Sequence, residues 1–296
     1  MKKAEATQLS DFVKKADTWE KHKSSSNLIA EHYAGGEFSS YSERIMHCAE
    51  LLKFEIADQS LQLNRASFCR VRCCPVCQWR RSLKWKARAY KAIPGIQEDF
   101  PKHRWLFLTL TVKNCPIDDL RTTLTVMHES FKRLTKLKSW YVTGWVKSAE
   151  VTKGQDGLAH PHFHCLLMVP PSYFSGDKYL SHAKWGQLWQ KSLQTDYQPV
   201  VYVTAIKKSD NPSVLIPEIF KYQTKPADIA EDKNCMLKLT EQLQHTRAIA
   251  VGGKLRSHFK NLKNFEAADD EAIATEFSQR HFYFGWNRDN GTYNLE

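Results

Sequence analysis

The sequence predicts a mixed α+β fold, and three observations carry that reading. Trp105-Leu106-Phe107-Leu108-Thr109-Leu110-Thr111-Val112 is an unbroken run of β-forming residues and reads as a buried strand. Leu120, Leu124, Met127, Phe131 and Leu134 then recur at helical spacing, which marks an amphipathic helix with Asp118 and Asp119 at its positive end. Finally, Tyr141 to Thr152 and His162 to Val169 flank Lys153-Gly154-Gln155-Asp156-Gly157, the pattern of a β-hairpin.

The other elements follow in chain order. The first forty residues are rich in lysine and serine and are broken at Ser24-Ser25-Ser26 and Gly35-Gly36, so beyond a short helix they read as a flexible arm. From Cys77 to Tyr90 no breaker occurs, which predicts a helix that stops before Pro94-Gly95. After the hairpin come a helix over Lys184 to Leu193 and a strand over Val200 to Ile206. A further helix opens near Pro217 and stops before Pro226. An acidic stretch from Glu266 to Glu271 precedes a terminal strand, His281 to Trp286, with a turn at Asn290-Gly291.

The chain has 296 residues and a formal charge of +11, which points to a polyanionic partner, of which nucleic acid is the commonest. No apolar run approaches the length of a spanning helix and the first residues lack an apolar core, so a soluble cytoplasmic protein without a membrane partner is expected. In that reducing compartment eight cysteines serve metal binding more readily than disulfides.

Ala159-His160-Pro161-His162-Phe163-His164-Cys165 places histidines at every second position. On a strand, alternate side chains share a face. His162 and His164 therefore point the same way, separated by an outward Phe163, with His160 at the strand mouth. Glu150, on the partner strand of the hairpin, can face the same pocket. Two imidazoles and a carboxylate make a three-point site that leaves coordination positions open for substrate. His160 competes with Glu150 for the third position. Two histidines and a glutamate also suit the catalytic zinc of a hydrolase.

In Pro217-Glu218-Ile219-Phe220-Lys221-Tyr222-Gln223-Thr224-Lys225-Pro226, helical spacing puts Glu218, Tyr222 and Lys225 on one face, while Ile219 and Phe220 can anchor the helix. A neighbouring ammonium, Lys225 or Lys221, favours the phenolate of Tyr222.

Phe68-Cys69-Arg70-Val71-Arg72-Cys73-Cys74-Pro75-Val76-Cys77 contains two cysteines three apart around a proline, which fits a zinc knuckle of Cys74 and Cys77, with Cys69 and the upstream Cys48 completing it. Cys73 is an extra thiol that leaves open which of Cys73 and Cys74 binds, and His47 could replace Cys48. Arg70, Arg72, Arg80, Arg81, Lys84, Lys86 and Arg88, interleaved with Trp79, Trp85 and Tyr90, suit phosphate contact and base stacking on DNA.

Taken in order, the strand Phe107 to Thr111, then Glu150 with His160 to His164, then Lys221-Tyr222-Gln223-Thr224-Lys225 resemble the three motifs of plasmid rolling-circle replication initiators of the HUH endonuclease superfamily. The likeness runs from about Cys48 to Asp228, and these initiators show the same spacing of cysteines. It implies a five-stranded antiparallel sheet flanked by helices, with the histidine strand central and the tyrosine helix packed against it. It also implies an N-terminal zinc-knuckle and helical module. By the same resemblance Mg²⁺ or Mn²⁺ is held by His162, His164 and Glu150, and Tyr222 is the nucleophile that nicks one strand of the plasmid origin. Glu218 falls where single-tyrosine members carry the glutamate that activates water in termination. Host helicase and DNA polymerase are implied as partners. The domain reading is a flexible arm over 1–45, a cysteine-rich basic DNA-binding module over 46–100, a nuclease core over 101–230, and a C-terminal helix and strand region over 231–296.

Overall fold

The computed structural model describes residues 7–57, 60–207, 210–221, 224, 232–260, 262 and 281–296. The chain divides into two compact units. One comprises Met1–Leu83, Ile229–Leu237 and Ala267–Glu296, and the other Lys84–Asp228 and Lys238–Glu266.

In the first unit, residues expected as a flexible arm instead form two helices, α1 (Ala16–Tyr33) and α2 (Ser39–Met46). The reason is that α1 carries an apolar stripe broken by few polar positions: Trp19, Ile29, Ala30 and Tyr33 are all buried. The serines that read as breakers are accommodated, because Ser25 and Ser26 return their hydroxyls to the carbonyls of Lys21 and His22 within the helix. Four strands, β1 (Leu51–Ala57), β2 (Ser60–Ala66), β8 (His281–Asn287) and β9 (Thr292–Leu295), form a sheet in the order β2-β1-β8-β9. The terminal strand read from 281–286 thus pairs with a strand more than two hundred positions upstream, Leu52 opposite Phe284.

The second unit is built on a five-stranded antiparallel sheet. Its strands are β3 (Arg104–Thr111), β4 (Gly144–Lys153), β5 (Ala159–Val169), β6 (Val201–Ala205) and β7 (Ile249–Gly253), in the order β6-β3-β5-β4-β7. The histidine strand β5 is central, as expected. The expected boundary at residue 230 does not hold for this unit, because β7 joins the sheet beside β4. That approach requires Gly252, where a Cβ would collide with the Trp145 ring.

Both faces of the sheet are covered, which is why β4 and β5 read as nearly continuous buried runs. On one face α4 (Leu120–Leu134) lays Leu120, Leu124, Met127, Phe131 and Leu134 inward, all buried as the spacing predicted. Phe163 belongs to this face and is fully buried, with its ring 6.2 Å from that of Phe131, so it is not the outward residue expected. The helix α5 (His182–Leu193) packs beside α4, is capped by Ser181 and donates from Trp189 Nε1 to the carbonyl of Thr111 at 2.8 Å.

On the opposite face Trp105, Met168, Leu166 and Val146 form a cluster with Ala89, Ile93, Ile96, Ile216, Ile219, Phe220, Leu255 and Phe259. The helix supplying Ala89 to Ile96 is α3 (Pro75–Asp99), which runs through Pro94 rather than stopping before it. Burial of Ala89, Ala92, Ile93 and Ile96 on the sheet offsets the missing hydrogen bond, and the ring of Pro94 sits on the exposed side. The helix α6 is a single turn, Ile216–Ile219. It ends earlier than the spacing predicted: Phe220 leaves helical conformation (φ −107°, ψ 40°), and its ring lies flat on Trp85 at 5.7 Å. The shared helical face of Glu218, Tyr222 and Lys225 is therefore not continued by the described residues, and Tyr222 and Lys225 themselves lie outside them. Among the described residues no helix is long and apolar enough to cross a membrane.

Candidate metal centres and nucleic-acid contacts

Antiparallel pairing sets residues directly opposite one another on the same side of a sheet. Here Glu150 stands opposite His162, Ser148 opposite His164, and Thr109 opposite His164 on the other flank. The three predicted ligands converge: Glu150 Oε2 lies 3.3 Å from His162 Nε2 and 3.0 Å from His164 Nε2. All three residues are buried. Burial pushes the Glu150 carboxyl up, but the hydrogen bonds from His162 and His164 outweigh it and hold the group well below the usual carboxylate range. The site thus keeps a fixed negative charge between two imidazoles.

The outer nitrogens explain how the rings are aimed. His162 Nδ1 lies 3.2 Å from the carbonyl oxygen of His160, which can only accept, so a ring that gives up its Nε2 proton to a cation would keep the other proton on Nδ1 and turn its Nε2 lone pair to the cluster. His164 Nδ1 lies 3.2 Å from Thr109 Oγ1, and Phe107 stacks on the same ring at 5.5 Å. Nearby, Ser148 Oγ is buried with no protein partner. Ligand atoms of a six-coordinate ion at about 2.1 Å would stand roughly 3 Å apart, the separation found here, so the residues fit a divalent cation. His160 is not part of the group: its Nδ1 is engaged by Asn114 Oδ1 at 2.6 Å, and Glu150 takes the third position.

The second cluster is Cys48, Cys69, Cys74 and Cys77. Its sulfurs lie 3.6 Å (Cys48 to Cys77), 3.5 Å (Cys69 to Cys77) and 3.7 Å (Cys48 to Cys74) apart. A tetrahedral ion with metal–sulfur bonds of about 2.3 Å has edges of roughly 3.8 Å, so the four thiols fit such an ion. Backbone N–H groups are turned onto the sulfurs: Arg70 to Cys77 at 3.3 Å, Val71 to Cys69 and Cys69 to Cys48, both at 3.4 Å. Arg70 reaches this position with φ +58°. Buried Lys23 donates to the carbonyls of Met46 and Cys48 and fixes the backbone of the upstream cysteine. Cys74, not Cys73, belongs to the cluster. His47 does not replace Cys48, since it pairs instead with Glu50 at 2.7 Å.

The basic residues separate into two kinds. Arg70 is exposed, and Arg81, Lys84 and Lys86 are half-buried. Arg88 is not available for phosphate: it donates to the carbonyl of Phe259 at 3.0 Å and lies 4.5 Å over the Trp85 ring. Arg80 sits over Trp19 and Phe68, and burial pushes Arg72 down to about 10. Trp79, expected as a stacking platform, is buried edge-on against Trp19. Trp85 is covered by Phe220. Only a helical amphipathicity count over α3 would have separated these inward cations and rings from the outward Tyr90, which remains 47% exposed. Glu218 is half-exposed and ion-paired with Lys221.

With this geometry in hand, comparison with known proteins is decisive for the family. The model of a family described as "Replication protein" matches residues 60–294. The chain belongs to this replication protein family. It is 36% identical to "Protein rep" of Lactiplantibacillus plantarum, over 92% of this chain and 96% of that protein. It is also 36% identical to "Protein rep" of Streptococcus pneumoniae, over 79% of this chain and 75% of the relative, and 33% identical to that of Bacillus amyloliquefaciens, over 89% and 87%. No solved structure matches. In this replication protein the matched segment contains the Glu150–His162–His164 cluster and three of the four clustered cysteines, Cys48 lying upstream of it. Two supporting groups escaped sequence reasoning. Thr109 was legible only as a strand residue, because its role depends on register, and Lys147 gave no signal at all.

Proposed function

We propose that this replication protein initiates rolling-circle replication of a plasmid by nicking one strand of the origin through a phosphotyrosine at Tyr222. The observation that carries the reading is the convergence of Glu150, His162 and His164 on one buried point. Mg²⁺ or Mn²⁺ bound there would supply Lewis-acid polarisation of the scissile phosphate.

The chain's own groups do the rest. Thr109 and the His160 carbonyl hold the two imidazoles in the tautomer that faces the cluster. Glu150 contributes the charge that retains the ion. The apolar cluster of Leu166, Val146, Ile219 and Phe220 covers the sheet beyond His164. Phe220 thereby anchors the chain two residues before Tyr222 on the side of the sheet that bears the ligands. The phenolate oxygen of Tyr222 attacks phosphorus, the bond from phosphorus to the 3′ oxygen breaks, and the departing oxygen takes a proton to become a free 3′ hydroxyl. Lys225 or Lys221 favours the phenolate. The new phosphodiester conserves the energy of the broken one, so a later 3′ hydroxyl can reverse the step and close a circle. Glu218 acts in termination as the base that activates water.

The four-cysteine cluster holds a structural Zn²⁺, and Arg70, Arg81, Lys84 and Lys86 contribute phosphate contacts. The freed hydroxyl is extended in the cytoplasm by host DNA polymerase with a host helicase. The test mixes purified protein, a labelled single-stranded origin oligonucleotide and Mn²⁺, and looks for a denaturation-resistant adduct. Wild type forms it and Tyr222→Phe does not. Cleavage persisting in Tyr222→Phe would replace the covalent route with metal-dependent hydrolysis.

A further inference from the structure

A cavity of about 670 Å³ opens in the second unit, at the end of the sheet remote from the histidines. Arg104 and Trp105 line it from the start of β3, opposite Val169 and Met168 at the end of β5. Those positions lie four to five residues beyond His164, or about 13–17 Å at the rise of a strand. The Glu150 cluster does not reach it.

Its lining has two components. Phe100, Trp105 and Phe174 provide aromatic surface, while Lys102, Arg104 and Lys207 provide three cations against one carboxylate, Asp210. Lys102 and Lys207 are exposed. Arg104 is held in place: its guanidinium lies 4.1 Å over the Phe174 ring and one Nη donates to the carbonyl of Ile206 at 3.1 Å. Its Nε is buried and has no partner in the protein.

The edge strand β6 connects this cavity with the metal cluster. Tyr202, 62% exposed, stands opposite Thr109, which in turn stands opposite His164, so the three occupy one row of one face. From Tyr202 the chain continues along the open edge to Ile206 and Lys207 at the cavity. Aromatic faces interleaved with cations along an edge suit a single nucleic-acid strand, whose bases stack and whose phosphates pair. The volume falls in the range of small-molecule sites and admits a nucleotide.

We infer that the cavity lined by Arg104, Trp105, Phe174, Lys102 and Lys207 is a second DNA subsite, which seats one unpaired nucleotide of the strand engaged at the Glu150–His162–His164 cluster. The inference rests on the DNA-nicking reading for its ligand and assigns that strand a path along β6.

The test uses the full chain and a fluorescein-labelled single-stranded oligonucleotide carrying 5-iodouracil. Anisotropy titrations over a salt series compare wild type, Lys102→Gln/Lys207→Gln, and a control, Lys132→Gln/Lys136→Gln, at the C-terminal end of α4 and just beyond it. All four lysines are exposed, so folding is preserved and is checked by circular dichroism. Losing two phosphate contacts on a single strand lowers the slope of log affinity against log salt by about 1.4, with affinity falling at least tenfold more than in the control. Photocrosslinks map to peptides containing Phe100, Trp105 or Phe174. Equal loss of affinity in both double variants, or crosslinks absent from those peptides, overturns the inference. Cavity crosslinks without any covalent adduct would refute nicking alone, whereas an adduct without cavity crosslinks would refute the subsite alone.

Discussion

Replacing Thr109 by valine tests how the metal centre is assembled. Cation binding at His164 Nε2 requires the ring proton on Nδ1, and the acceptor placed for it is Thr109 Oγ1 at 3.2 Å. Valine keeps the β-branched shape the strand favours and removes only that acceptor. The Nδ1–H of a histidine more than nine-tenths buried is then left without its partner. Such a loss costs about 1–3 kcal/mol. At 1.4 kcal/mol per factor of ten, Mn²⁺ affinity falls by roughly 5- to 140-fold. Isothermal titration of Mn²⁺ into the metal-free protein measures this directly, with Thr109→Ser as the variant that keeps the hydroxyl and stays within about threefold of wild type. If Thr109→Val bound Mn²⁺ as tightly as wild type, the hydrogen bond would have no part in aiming His164.

Three further outcomes are expected. Cys74→Ser loses the tightly bound zinc released by a mercurial and read with a colorimetric chelator, whereas Cys73→Ser retains it; equal loss in both would dismiss the assignment of Cys74. Burial pushes Lys147 down to about 8 from an ordinary value of 10.5, although Phe163 lies 3.8 Å beneath its ammonium and His128 Nδ1 accepts from it at 2.8 Å. Between those two values the unfolded chain binds more protons at this site than the folded one, so stability rises with pH across roughly pH 8 to 10.5 and the full penalty, of order 3 kcal/mol, applies below that window. Lys147→Met therefore raises the urea midpoint at pH 7 and flattens its rise toward pH 10, and a variant whose midpoint follows wild type at both pH values would contradict this. Phe163→Ala, which empties the contact between β5 and α4, lowers unfolding free energy by about 3–5 kcal/mol in the same assay; a loss below 1 kcal/mol would mean that α4 closes the gap.

What could be read from the sequence follows the range of the interactions concerned. The cluster was legible because a strand has period two and a hairpin fixes which residues meet: His162, His164 and Glu150 needed only local rules to converge. The α4 stripe was legible for the same reason at period 3.6. Phe163 was misjudged because alternation says that it opposes the histidines but not whether a helix covers that side. Pro94 and the serines of α1 were read as breaks because local propensity was weighed without the burial of Ala92, Ile93 and Trp19 that overrides it. Trp79, Trp85 and Arg88 looked like DNA contacts because a cation beside an aromatic ring has the same composition in a core as on a surface. Only their partners, Trp19, Phe220 and the Phe259 carbonyl, separate the two. The strand pairing of β1 with β8, and of β7 with β4, depends on contacts far apart in sequence, where no period exists to be read. The same holds for Thr109: three residues on three strands, Thr109, His164 and Ser148, form one row only once register is set, and the aiming of the histidine is a property of that row rather than of any motif.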